Sequence, residues 1–188
     1  MILSIIGDIG SGKTLSGVKY CYDQYKKGFT IFTNIRLVFP KIKGCGKVVK
    51  LDGQFFKDYT ASKFNLINAV VFIDEAHVFF DSRNAMMKRN KIFSKFVTQS
   101  RKRSVDVLLT TQDKTPQLFL SSGQVELRAR KLTDYIIFCQ TYKKGKNTYI
   151  IQTVCDRYGL AVKKKIFPAN PYFSLYDTME IIDFDDID

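Results

Sequence analysis

Near the start of the chain, the eight residues Gly7-Asp8-Ile9-Gly10-Ser11-Gly12-Lys13-Thr14 constrain the fold more than any other stretch. They satisfy the spacing G-x-x-x-x-G-K-[ST] at every position, and the physical demands behind that spacing are narrow. Glycines let the backbone curl until successive N–H groups converge on phosphate oxygens. A helix that begins at the lysine brings its positive end to the same place. The flanks agree, because Ile2–Ile6 is a short apolar strand and residues 13 to about 27 read as a helix with Val18, Tyr22 and Tyr25 near one face. A chance match in a glycine-rich turn would not bring both flanks with it. The loop from Gly7 to Thr14, with Leu15 behind it, is expected to bind ATP (or another nucleoside triphosphate) with Mg²⁺. Lys13 would reach the β- and γ-phosphates, and the Thr14 hydroxyl would ligate the cation.

A second apolar strand, 70–74, ends in two adjacent carboxylates, Asp74 and Glu75. Parallel strands deliver their C-terminal ends to one edge of a sheet, where ligands sit. Asp74 is therefore expected beside the phosphate loop as a Mg²⁺ ligand, with Glu75 orienting and deprotonating water; two acids opening an exposed loop are the ordinary alternative. His77, the single histidine of the chain, is either a hydrogen-bonded residue at a strand exit or a link between nucleotide state and neighbouring loops. A third run, 105–110, leads to Gln112, whose amide can hydrogen-bond the γ-phosphate or the attacking water. Arg101 and Arg103 close the helix before that run, and Arg128 and Arg130 precede the next strand. Each is either a surface cation that stabilises a helix end or binds nucleic acid, or an arginine finger inserted into a neighbour's site.

Strands at 2–6, 29–33, 70–74, 105–110 and 135–140 alternate with helices at 13–27, 54–67 and 91–102. That order implies an α/β, single-domain, three-layer sandwich with a mostly parallel central sheet. Residues 40–51 are rich in glycine and lysine and read as a loop or small hairpin. Residues 141–148 read as the turn of a hairpin, and 148–154 with 160–167 as antiparallel strands at the sheet edge. Pro168 and Pro171 are expected to end regular structure, giving an ATPase domain over 1–167 and an acidic tail over 168–188. Cys21, Cys45, Cys139 and Cys155 lie far apart with no metal-ligand spacing and read as reduced core or surface thiols.

The net charge of +12 is unevenly spread. Six acids and no Lys or Arg lie between Asp177 and Asp188, so the first 176 residues carry +18. A basic body of this kind suggests a polyanionic partner, nucleic acid before others; solvated lysine-rich faces are the bland alternative. The acidic tail alternates its acids with Met179, Ile181, Ile182, Phe184 and Ile187, which fits either a frayed terminus or a segment that docks on a basic, partly apolar groove.

The succession of phosphate loop, Thr33-Asn34-Ile35 strand exit, Asp74-Glu75-Ala76-His77, Ser100-Arg101 and Leu109-Thr110-Thr111-Gln112 resembles the FtsK–HerA superfamily of DNA-pumping ATPases. More narrowly, it is similar to the zonula-occludens-toxin-like branch and to the small genome-packaging ATPases of viruses with internal membranes. The resemblance covers roughly residues 1–140, and its strongest motifs are general to P-loop ATPases. It implies a RecA-like core for the three-layer sandwich and a hexameric ring that translocates double-stranded DNA in the host cytoplasm or on the virion, with a capsid or portal-type protein as partner. Toxin-like and filamentous-phage assembly members usually carry a membrane-spanning segment, and no run here approaches the ~18 apolar residues that one needs. The expectation is accordingly a soluble motor that packages a viral genome, without stable membrane insertion. The alternatives are a membrane-associated phage assembly or DNA-export ATPase, a small nucleotide kinase, and an assembly protein gated by nucleotide binding.

Overall fold

The structure is a computed structural model that describes residues 1–61, 66–81, 83, 88–102 and 105–177, with the side chains of residues 60, 89 and 101 excepted. The tail from 178 to 188 and the whole of Arg103 lie outside the described residues.

Strand β1 (Ile2–Ile6) is buried along its whole length, as a parallel strand covered on both faces must be. Helix α1 (Lys13–Tyr25) follows the phosphate loop and presents Leu15, Val18, Cys21 and Tyr25 inward at helical spacing. Strands β2 (Thr30–Thr33) and β3 (Val48–Lys50) come next. Helix α2 (Gly53–Thr60) starts where the Asp52 carboxylate accepts from Phe55 N at 2.8 Å. Strand β4 (Ala69–Ile73), helix α3 (Ala76–Phe79), helix α4 (Lys88–Lys102) and strand β5 (Asp106–Thr111) follow. The chain ends with helices α5 (Pro116–Ser122) and α6 (Leu127–Leu132), strands β6 (Tyr135–Lys144), β7 (Asn147–Asp156) and β8 (Ala161–Pro168), and a 3₁₀ helix at Asn170–Leu175.

Among the described residues these strands make one eight-stranded sheet in the order β3-β2-β4-β5-β1-β6-β7-β8. The six strands from β3 to β6 are mutually parallel, and β7 and β8 extend the sheet in antiparallel pairing. Alternation along β4 divides the core. Val71 and Ile73 face a layer built on α2, α4 and α6, in which Phe55, Phe56, Tyr59, Phe80, Phe93 and Phe96 pack ring against ring. Val70 and Phe72 face α1 on the other side. There Gly17 lets the helix lie close to the sheet, since a Cβ at that position would stand 2.4 Å from the Phe72 ring. The expected α/β three-layer architecture with an antiparallel C-terminal hairpin is the one observed.

Several local expectations need correction. Residues 48–50 are not a loop or hairpin but strand β3, parallel to β2 at the sheet edge. With all three residues exposed they lack the apolar run that marks the inner strands. Helix α2 stops at Thr60 rather than near 67, with Leu66 already outside any helix. Strand pairing runs as far as Lys144 opposite Asn147, so the hairpin turn is Gly145-Lys146 alone, where Gly145 takes φ 59°. Pro171 does not end regular structure; it sits in the first turn of the 3₁₀ helix, a position that needs no N–H. That helix is folded onto the core, Ala169 and Leu175 being buried, so the packed chain continues past residue 168.

Candidate active site

Because β1, β4 and β5 are parallel neighbours or next-neighbours, their C-terminal ends deliver the phosphate loop, Asp74-Glu75 and Gln112 to one edge of the sheet. Backbone turns shape the loop: Ser11 N donates to Asp8 O at 3.1 Å, and Ser16 N donates to Gly12 O at 2.9 Å. Gly12 takes φ 87°, a left-handed conformation that favours glycine, and a Cβ there would fall 2.3 Å from Ile150 Cδ1 of β7 and displace that side chain. Lys13 is nearly buried and its ammonium donates to Asp8 O at 2.9 Å, holding the cation over its own loop. Ser11 Oγ is buried without a hydrogen-bond partner among the described residues. Ile9 stands exposed at the loop tip, whereas the Leu15 side chain turns into the core against Ile150 and Phe167.

Asp74 is tied down from several directions. The Thr14 hydroxyl donates to its carboxylate at 3.0 and 3.1 Å, and the Thr110 hydroxyl donates to Oδ1 at 2.6 Å. The Asn34 amide clamps its backbone, donating to Asp74 O at 2.9 Å and accepting from Asp74 N at 2.8 Å. Burial pushes the Asp74 carboxyl up to about 6, with Glu75 adding to the rise and the two hydroxyls and Lys13 opposing it. Glu75 takes φ 50°, a left-handed conformation unusual for a residue with a side chain. Its amide donates to Thr110 Oγ1 at 2.8 Å, so that one threonine hydroxyl joins both acids. Gln112 Nε2 donates to Glu75 Oε2 at 3.1 Å, and His77 Nε2 lies 3.4 Å from the same oxygen. His77 Nδ1 is buried without a partner among the described residues.

These groups open on a cleft of about 500 Å³. Gly10, Gly12, Lys13, Thr14, Glu75 and Gln112 line one side, and Thr141, Lys143, Thr148, Ile150, Phe173 and Tyr176 line the other. The second group was not legible in the sequence, because no motif marks it: the strand register of β6 and β7 brings Thr141, Lys143, Thr148 and Ile150 here, and the 3₁₀ helix returns Phe173 and Tyr176. Thr141 Oγ1 donates to Gly10 O at 2.8 Å, which anchors the hairpin to the phosphate loop. Hard oxygens from Thr14 and Asp74 converge as a Mg²⁺ ligand pair would, and their mutual hydrogen bonding fits a site completed by phosphate oxygens and water. Among the described residues no cluster of three or more His, Cys, Asp or Glu side chains could hold a metal.

The arginines stand apart from this picture. Arg128 is exposed in the first turn of α6. Arg130 is buried, and its guanidinium donates to Val125 O at 2.9 Å, Phe119 O at 3.1 Å and Leu120 O at 3.2 Å. It ties α5 to α6, which corrects the view of it as a finger or surface cation. Arg101 lies in α4, its side chain outside the described residues, as is Arg103.

Comparison with known proteins places these features in context. Residues 1–118 match the zonular occludens toxin (Zot) family. The "Gene 1 protein" of Enterobacteria phage I2-2 is 25% identical over 217 aligned residues, a match that takes in 96% of this chain and 57% of that protein. The chain thus spans little more than half of this relative. Among solved structures, the N-terminal domain of zonular occludens toxin from Neisseria meningitidis superposes with a TM-score of 0.57 at 17% identity, covering 94% of this chain and 98% of that one. The genome packaging NTPase B204 from Sulfolobus turreted icosahedral virus 2, in complex with ATP-gammaS, superposes with a TM-score of 0.52 at 16% identity over 88% and 95% of the two chains. At such identities the likeness is one of fold, and the fold is that of P-loop NTPases.

Proposed function

The chain belongs to the zonular occludens toxin (Zot) family, and from that premise we propose that it is a Mg²⁺-dependent ATPase motor that moves DNA during phage assembly. The observation that carries the reading is the Thr14–Asp74 contact at 3.0 Å beside the phosphate loop, with Glu75 and Gln112 bonded to each other at 3.1 Å one step further into the cleft. Lys13 and the loop amides hold the β- and γ-phosphates. Thr14 and Asp74 hold the cation, which when bound neutralises phosphate charge. Glu75 takes the proton of the attacking water, and Gln112 keeps its carboxylate oriented. A small-molecule kinase fits less well, because the described lining of the cleft carries Lys13 and Lys143 and no arginine to draw in a second substrate.

DNA enters the proposal from the basic body of the chain and from the family, and double-stranded DNA is the form that resemblance to packaging motors implies. The same resemblance implies a hexamer, a portal-type partner and action inside the host cell. Among the described residues no helix is long and apolar enough to cross a membrane. Since the chain covers 57% of the phage Gene 1 protein, that does not separate capsid packaging from export at a membrane. The family match favours phage assembly over capsid filling.

The test is ATP turnover measured with and without Mg²⁺ and with and without DNA, in the intact chain and in Glu75→Gln. The variant is expected to retain ATP binding while turnover falls about 10²-fold or more. Equal loss of binding and turnover would sink the role given to Glu75. A basal rate that no DNA alters would sink the motor.

A further inference from the structure

The antiparallel extension of the sheet is strongly basic. Between residues 141 and 169 it carries Lys143, Lys144, Lys146, Arg157, Lys163, Lys164 and Lys165 against the single acid Asp156. Side chains alternate between the two faces of such strands. Toward the turn the rear face lines the cleft: Thr141 holds Gly10, and Ile150 fills the space over Gly12 and packs with Leu15 and Phe167.

On the front face, register places Tyr142 directly opposite Tyr149, their ring centroids 6.5 Å apart and tilted by 40°. Lys144 is the next front-facing residue along β6, toward the turn. On the other side, Thr153 of β7 stands opposite Lys164 of β8, and Ile151 stands opposite the exposed Ile166. Among the described residues helix α5 covers only the base of this face, where Phe119 and Leu120 meet Ile136, Phe138 and Cys155. Tyr142 and Lys164 stand exposed beyond it.

We propose that this front face is a binding platform for single-stranded DNA. Bases stack on Tyr142 and Tyr149, and phosphates pair with Lys144, Lys146 and Lys164. The inference rests on the DNA-moving reading and narrows its substrate from the duplex implied by resemblance. Two observations favour single strands. Paired tyrosines on an open sheet face offer flat apolar surface to unpaired bases, which a duplex keeps stacked inside. Lysines flanking those rings neutralise a backbone that runs across the strands.

The geometry also links this platform to the nucleotide. Tyr142 follows Thr141 in β6 and Tyr149 precedes Ile150 in β7, so each platform ring is the chain neighbour of a residue seated on the phosphate loop. A shift of the loop on binding nucleotide moves both rings.

The experiment is fluorescence anisotropy of a labelled oligo-dT of about 20 nucleotides, a duplex of the same length and anionic phospholipid vesicles. Each is titrated with the intact chain in the presence and absence of Mg²⁺ and ATP-γ-S. The single strand is expected to bind more tightly than the duplex, and nucleotide is expected to change its affinity. Tyr142→Ala/Tyr149→Ala should weaken it about 10-fold or more while basal ATP turnover is kept, and Tyr142→Phe/Tyr149→Phe should restore it. Lys144→Ala/Lys164→Ala, both on exposed positions, should lower the salt slope by about 0.7 per lysine. Wild-type affinity in the alanine pair, preference for duplex, or binding to vesicles but not to DNA would each overturn the platform. DNA-stimulated turnover that persists in the alanine pair would overturn it while leaving the motor intact.

Discussion

Replacing Asp74 by asparagine is expected to stabilise the ligand-free protein while abolishing Mg²⁺-dependent hydrolysis. The side chain is 4% exposed, and burial raises its carboxyl from 3.8 to about 6 despite two hydroxyl donors. The unfolded chain titrates near the ordinary value, so between about pH 4 and about pH 6 the fold holds a proton that the unfolded chain has lost. The sign follows. Stability from this group is fully present below the unfolded value and is lost as pH rises through about 6. At ~1.4 kcal/mol per pH unit, the charged carboxylate costs the empty fold about 3 kcal/mol at pH 7.5 but about 1 kcal/mol at pH 4.5. Asparagine keeps the shape without the charge. Its oxygen accepts from Thr110 as before, and its NH₂ can donate to a Thr14 hydroxyl that now turns to accept. Urea unfolding in EDTA without nucleotide, at both pH values, should therefore show the variant gaining more at the higher pH. A variant less stable than the native chain at pH 7.5, or one with equal gains at both pH values, refutes the reasoning.

Lys13→Ala should abolish hydrolysis and weaken ATP binding, because the phosphates lose their cation; near-native turnover would undo the assignment of the site. Arg130→Ala should cost about 2–4 kcal/mol of stability by urea titration, since two buried carbonyls and one half-buried carbonyl lose a charged donor, whereas Arg128→Ala should stay within about 0.5 kcal/mol. If an arginine acts in trans, mixing Arg128→Ala or Arg101→Ala subunits with Lys13→Ala subunits restores turnover at interfaces that pair an intact loop with an intact arginine. No recovery in any mixture means that these arginines act in cis or are structural.

The residues legible in the sequence are those whose chemistry demands a local pattern. The phosphate loop needs glycines at fixed spacing, and the acids need a buried strand before them, so Gly7–Thr14, Asp74, Glu75 and Gln112 are legible from the sequence alone. Asn34 was visible as a strand exit, but its double hydrogen bond to the Asp74 backbone depends on β2 lying beside β4. Thr110 looked like one more strand residue. Helix α5 had a readable start in Thr115-Pro116, with the threonine hydroxyl accepting from Leu118 N at 3.2 Å and proline in the first turn. It was missed because seven residues are too few to establish a helical period. The far wall of the cleft is illegible for a deeper reason. Thr141, Ile150 and Tyr176 reach it through strand register and a long return of the chain, and neither leaves a local trace.

Why two neighbouring acids divide their work follows from a single backbone angle. In an extended strand, successive side chains point to opposite faces. Asp74 uses the last such direction to turn inward onto Thr14 and Thr110. Glu75 leaves the pattern at φ 50° and ψ 44°, opens α3 through its carbonyl, which accepts from Val78 N at 2.9 Å, and projects its carboxylate into the cleft. For a residue with a Cβ that conformation costs about 1–2 kcal/mol, so something must hold it. Thr110 does, accepting from the Glu75 amide at 2.8 Å while donating to Asp74 at 2.6 Å. One hydroxyl therefore sets the separation between the group proposed to hold the cation and the group proposed to take the proton. Phosphoryl transfer is governed chiefly by positioning, so this β5 side chain, which need not touch nucleotide, fixes a distance on which the rate depends.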